Sequence, residues 1–133
     1  MSEYAAVLFA NEAFYLAFSG ADIDAMEEAW AERDDITCIH PGWSPLIGRD
    51  LVMESWQAIL ANAESPAITC RNQSPHISGG VAYVVCYEEI DGGYLVATNI
   101  FVRQEGMWKM VHHQAGPAPG PPPPEATEEP PLQ

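Results

Sequence analysis

Apolar and aromatic residues at Tyr4, Val7, Leu8, Phe14, Tyr15 and Phe18 recur at spacings that trace one stripe along a helix. Asn11 falls inside that stripe, and a buried amide must find a partner, either in neighbouring backbone or in a polar cavity. Gly20 ends this helix and Asp22 caps a second, shorter one carrying Ile23, Met26 and Trp30, so the two form a hairpin. Residues 36–40 read as a short strand ended by Pro41-Gly42, and Pro45 bars regular structure over 43–47, a loop expected at the rim of a cavity. After Gly48-Arg49-Asp50 a third helix runs through Leu60, with Val52, Trp56, Ile59 and Leu60 as its apolar face.

From Ala67 onward the period changes to two, predicting four strands around 68–72, 81–90, 94–103 and 108–115. The connections Asp91-Gly92-Gly93 and Gln104-Glu105-Gly106-Met107 are short and contain glycine, so the last three strands form an antiparallel meander. Helices first and sheet second make an α+β domain. Residues 81–87 put Val81, Tyr83, Val85 and Tyr87 on one side and Ala82, Val84 and Cys86 on the other, so both faces of the sheet want cover. Three short helices cover one face; a second copy of the chain is expected on the other, as a homodimer through the outer sheet face. A standard interface of ~800 Å² per partner gains more from apolar burial than screened repulsion between like-charged subunits costs. At Gly116 the apolar periodicity stops, and residues 118–133, rich in proline and glutamate, read as a disordered, extended tail to a domain spanning 1–117.

The 133 residues include 19 acidic and five basic side chains, for a net charge of −14, and the basic ones (Arg33, Arg49, Arg71, Arg103, Lys109) are scattered. A polyphosphate backbone has no cationic patch to meet, so nucleic acid is not an expected partner. No apolar run approaches the ~20 residues needed to cross a bilayer, and an acid stands near the start where a secretory signal carries bases, so the expectation is a cytoplasmic protein without membrane contact. Three cysteines, Cys38, Cys70 and Cys86, each in a strand-like run, read as buried free thiols. No glycine-rich phosphate loop, Cys-x-x-Cys pair or Ser-His-Asp arrangement is present, and no cofactor is implied.

The run Ile36-Thr37-Cys38-Ile39-His40-Pro41-Gly42-Trp43, followed by Gly48-Arg49 and Ser55-Trp56, resembles the SnoaL-like branch of the nuclear transport factor 2-like superfamily. Ser74-Pro75-His76-Ile77, Ala82-Tyr83, Thr98 and the last strand Gly106-Met107-Trp108-Lys109-Met110-Val111-His112 are also similar to the association domain of calcium/calmodulin-dependent kinase. The resemblance implies a cone-shaped, cystatin-like domain in which a strongly curved, mainly antiparallel sheet wraps around three helices, with a cavity open at one end and dimerisation through the sheet's outer face. Function does not follow from this scaffold, which carries isomerases, dehydratases, cyclases, binding modules and assembly domains.

The steroid isomerases of that superfamily pair a carboxylate base with a tyrosine from the first helix, a place that Tyr15 fits. The base would come from the first strand region or the sheet interior, where the sequence offers His40, Asn99 and His112 and no Asp or Glu is expected. Imidazole titrates near neutrality, so His40 or His112 is the candidate proton carrier, with Tyr15 or Asn99 stabilising the developing oxyanion. Trp56, Tyr87 and Asn99 are expected to line a mostly apolar pocket for a small organic molecule, with Trp43 near its mouth. Arg49 is a candidate for a ligand carboxylate or for an ion pair with Asp50 and Glu54. Adjacent His112 and His113 point to opposite faces of a strand, so a three-histidine metal site is not expected. The alternative is a non-catalytic ligand-binding or oligomerisation domain. A proton-transfer enzyme loses turnover but keeps its fold on His40→Gln; an association domain is indifferent to that change.

Overall fold

The computed structural model describes residues 2–62 and 67–124. Its elements are α1 (Glu3–Ser19), α2 (Ile23–Ala29), β1 (Thr37–Ile39), β2 (Leu46–Ile47), α3 (Arg49–Ala61), β3 (Ile68–Ser78), β4 (Val81–Ile90), β5 (Gly93–Gln104) and β6 (Met107–Pro117). Six strands form one open sheet in the order β2-β1-β6-β5-β4-β3. All neighbours are antiparallel except β1, which runs parallel to β6 with Thr37 opposite His112. The helices-then-sheet reading therefore holds: this is an α+β domain of three helices and a mixed sheet.

Local chemistry accounts for the element ends. The Ser2 hydroxyl accepts from the Ala5 amide and the Asp22 carboxylate from that of Ala25, capping α1 and α2. Gly20 ends α1, but not through a left-handed turn: its φ is −85°, and the left-handed residue is Ala21 at φ 51°. Glycine is needed at 20 because a Cβ there would meet the Leu16 carbonyl oxygen at 3.0 Å. The β4–β5 and β5–β6 turns place Asp91-Gly92 and Glu105-Gly106 at positive φ, the two-residue hairpin form whose twist matches the strands. One reading is corrected at Pro45: regular pairing resumes at once, with Leu46 opposite Cys38, because the proline lies just before the ladder and interrupts none of its hydrogen bonds.

The core lies between the sheet's inner face and the helices. Phe14 sits at its centre, in edge-on contact with Tyr15, Phe18, Trp30 and Trp56. Trp30 and Trp56 are core residues, and both are fully buried. On the outer face Val81, Tyr83, Val85 and Val96 remain exposed, and His76 stacks on Tyr83 at 4.7 Å. Residues 118–124 pass from β5 to β3, where the Ala118 amide donates to the Tyr94 carbonyl and Asn72 Nδ2 to that of Pro123. Of the tail expected over 118–133, residues 125–133 lie outside the described residues. No described helix is long and apolar enough to cross a membrane.

Candidate active site

The inward positions of the sheet are read from its register: Ala82, Val84, Cys86 and Glu88 on β4, Ala97, Asn99 and Phe101 on β5, and Trp108, Met110, His113 and Ala115 on β6. Most are apolar, but Glu88, Asn99 and His113 are polar and buried, and α1 adds Asn11 and Tyr15. These five side chains form one hydrogen-bonded cluster. Asn99 Nδ2 donates to Asn11 Oδ1 at 2.9 Å and to Tyr15 Oη at 3.0 Å, so Asn99 Oδ1 is left to accept from His113 Nδ1 at 2.5 Å. Tyr15 in turn donates to Glu88 Oε2 at 2.6 Å, and Asn11 Nδ2 to Gln73 Oε1 at 2.7 Å.

These directions fix the histidine. With its proton on Nδ1, His113 turns a bare Nε2 toward Glu88 Oε2, 3.8 Å away. The contact is not a charged pair. Burial pushes the Glu88 carboxyl up to about 7 against the downward pull of the Tyr15 hydrogen bond. Burial pushes the His113 imidazole down to about 3, with neighbouring His40 and His112 adding to the effect. The Tyr15 hydroxyl is held well above its ordinary range, first by burial and then by the Glu88 charge. The cluster thus joins a carboxyl that titrates near neutrality to a neutral imidazole acceptor and to the hydroxyl and amide donors of Tyr15 and Asn99. Such an arrangement can take a proton from carbon, return it elsewhere and hydrogen-bond an oxyanion.

A second polar pair lies beside it. Ser55 Oγ donates to the Val52 carbonyl at 2.7 Å and therefore accepts from His40 Nε2 at 2.9 Å. Burial pushes His40 down to about 4, so the ring is neutral, its Nε2 proton already committed. Its faces meet Trp43 at 4.7 Å and Trp56 at 4.8 Å, both edge-on. Trp43 is otherwise exposed on its loop.

Several expected positions move. His112 turns outward, its Nδ1 2.6 Å from Thr37 Oγ1, and His113 takes the inner place. The cause is a register shift between Ile100 and Phe101: Phe101 faces Met110 while Ile100 faces His112, so Val111 is the extra residue and every later side chain of β6 changes side. Tyr87 also lies on the outer face, opposite Val96. Arg49 is neither in the interior nor paired with Asp50 or Glu54. Its guanidinium donates to the carbonyls of Glu27, Trp30 and Ala31, satisfying the end of α2. Asn11, expected either to bond backbone or to face a polar cavity, is bonded to side chains throughout. The structure brings Tyr15, Asn99, His40 and Trp56 together in the interior.

The reading from sequence missed Glu88, His113 and Ser55. Glu88 had a signal: it continues the even-numbered inward series Ala82, Val84, Cys86, and the alternation runs one residue past the apolar stretch. Among the described residues no three His, Cys, Asp or Glu side chains are grouped so as to hold a metal ion.

Comparison with known proteins places this geometry in a family. The arrangement is the cystatin-like fold. A candidate dehydratase of the NTF2-like family from Streptomyces avermitilis is 31% identical, with a TM-score of 0.80 over 87% of this chain and 96% of that one. A candidate calcium/calmodulin-dependent protein kinase type II association domain from Thiobacillus denitrificans is 29% identical, with a TM-score of 0.76 over 82% and 92%. The F-box protein SKIP8 of Arabidopsis thaliana is 28% identical over 112 residues, which are 83% of this chain and 48% of that protein, so the chain spans about half the length of this curated relative. The family model for the SnoaL-like domain matches residues 7–119, and the chain belongs to the SnoaL-like family.

Proposed function

We propose that this domain transfers a proton on a small, largely apolar organic molecule, by isomerase, dehydratase or cyclase-type chemistry, with Glu88 as the proton carrier. The observation that carries the reading is the Glu88 carboxyl itself: 2% exposed, pushed up to about 7, and held at 2.6 Å by the Tyr15 hydroxyl. A carboxyl poised near neutrality beside the Tyr15 hydroxyl and the Asn99 amide has the parts for enolisation. Tyr15 and Asn99 stabilise the developing negative charge by turning to it the hydrogen bonds that Glu88, Asn11 and Tyr15 accept in the free protein. His113 stays neutral and fixes Asn99 through its Nδ1 proton, while His40, Trp56 and Trp43 shape the apolar wall. In this reading Glu88 rather than His40 is the base, because burial depresses the basicity of His40 and Ser55 holds its Nε2 proton.

The test is deuterium exchange. A panel of small apolar ketones and β-hydroxycarbonyl compounds is incubated with the protein in D₂O and followed by NMR. Exchange at the carbon next to the carbonyl is expected, falling by about 10²–10⁴-fold in Glu88→Gln at an unchanged circular dichroism spectrum. Exchange that survives Glu88→Gln, or that is absent across the panel, overturns the reading.

A second reading is favoured by a separate observation, the exposed row Val81, Tyr83, Val85 and Val96 on the outer face of the sheet. Such a patch suits self-association, as the likeness to an association domain also suggests, and the homodimer is proposed through this face. The two readings are compatible, since the cluster around Glu88 lies on the opposite face.

A further inference from the structure

We infer that Cys70 and Cys86 form a peroxide-sensitive dithiol beside Glu88, closing to an intramolecular disulfide between β3 and β4. Both side chains point into the interior. Cys70 is registered opposite Glu88, and Cys86 lies two residues earlier on β4, so the thiols are diagonal neighbours across one antiparallel pair. Asn11 Nδ2 reaches Cys70 Sγ at 3.7 Å, and Cys86 Sγ lies 3.3 Å from Tyr15 Oη.

The two thiols have unequal roles. The Cys70 side chain lowers the Cys86 pKa against the rise that burial causes, whereas that of Cys70 is raised. Cys86 therefore carries the nucleophilic thiolate, while half-buried Cys70 gives a small oxidant its way in. Hydrogen peroxide is attacked by the Cys86 thiolate, whose sulfur takes one oxygen and becomes a sulfenic acid as hydroxide leaves. The Cys70 thiol then attacks that sulfur; an S–S bond forms, the S–O bond breaks, and its proton departs with the oxygen as water. Over both steps two thiols are oxidised and one peroxide is reduced to two waters. Cys38 is the internal control, since burial pushes its thiol up to about 12 and it sits on β1, away from the pair.

Diagonal positions on paired strands hold their Cα atoms about 7–8 Å apart, slightly beyond the usual disulfide range of about 4.4–6.8 Å. The strand can yield at the right point. The pairing slips between Arg71 and Ser74, with Asn72 at φ 54°, so this bulge is the place where β3 can shift toward β4. A bond closed under that tension is readily reduced, as a reversible switch requires. Closing it draws Cys86 Sγ away from Tyr15, which is bonded to Glu88.

The pairing does not depend on the proton-transfer reading, and its test is separate. Whole protein is treated with hydrogen peroxide, unfolded, alkylated with N-ethylmaleimide and weighed, with and without later dithiothreitol. Alkylated thiols are expected to fall from three to one, the survivor being Cys38, with a linked Cys70–Cys86 peptide that reduction releases. Cys70→Ser and Cys86→Ser should each abolish the link, and Cys38→Ser should leave it. Three alkylated thiols after peroxide, a link through Cys38, or a link only between chains overturns the proposal. In the linked protein the Glu88 titration, followed by carboxyl ¹³C NMR, is expected to move and to return on reduction; an unmoved titration overturns the coupling to Tyr15.

Discussion

Replacing Glu88 with Gln keeps an acceptor for the Tyr15 hydroxyl and supplies an amide for His113 Nε2, but removes the group that has to ionise in a dry interior. In the folded chain that carboxyl is pushed from an ordinary 4.5 up to about 7. At about 1.4 kcal/mol per pH unit, the rise makes about 3 kcal/mol of folding stability dependent on pH. A folded pKa raised above the unfolded one means that the contribution is fully present below about 4.5 and is lost as pH climbs through about 7. His40 and His113 work the other way: depressed to about 4 and about 3, they weaken the fold as pH falls below their ordinary 6.5. Both proteins carry those histidines, so the difference between wild type and variant isolates Glu88. Urea unfolding at pH 4, 5, 6, 7 and 8 should give equal stabilities at the acid end. Glu88→Gln should then gain steadily, reaching a plateau about 3 kcal/mol above wild type past neutrality. A flat difference, or a variant less stable than wild type at pH 8, refutes the reasoning, because the carboxylate would then be welcome in the interior.

Two further substitutions test placement. His113→Gln should cost about 2–4 kcal/mol in urea unfolding, since it breaks a buried hydrogen bond and an aromatic contact with Phe14, whereas His112→Gln on the outer face should cost less than about 1 kcal/mol. Tyr83→Asp should convert a dimer to a monomer in sedimentation equilibrium at an unchanged Tm, because it puts a charge into the exposed apolar row of the outer face while leaving the inner face untouched.

The fold was legible because its signals are local. Helical spacing up to Leu60, period two from Ala67, and the Asp91-Gly92 and Glu105-Gly106 turns each announce an element within a few residues. The site was legible only in part. Tyr15 and Asn99 follow from the phase of an element, but His112 does not: counting by twos from Trp108 and Met110 puts it inside, and nothing near Val111 signals the extra residue in the ladder. That bulge answers to pairing with β5, a long-range fact. Glu88 was hidden differently, since an acid closing an apolar run ordinarily marks the return to solvent, and its partnership with a tyrosine 73 positions earlier cannot be seen locally. Arg49 binds carbonyls of a helix end that lies far from it in sequence.

The slip at Val111 also bears on how such a chain can change. Straightening the ladder with every residue kept, so that Val111 takes the place opposite Ile100, would bring the imidazole of position 112 into the core and expel its neighbour, while both hairpin turns and the helical layer kept their places. A slip of one residue in pairing would then exchange the chemistry of the interior for that of the external sheet surface. A scaffold with this kind of hinge in its register can trade one activity for another without first losing its fold.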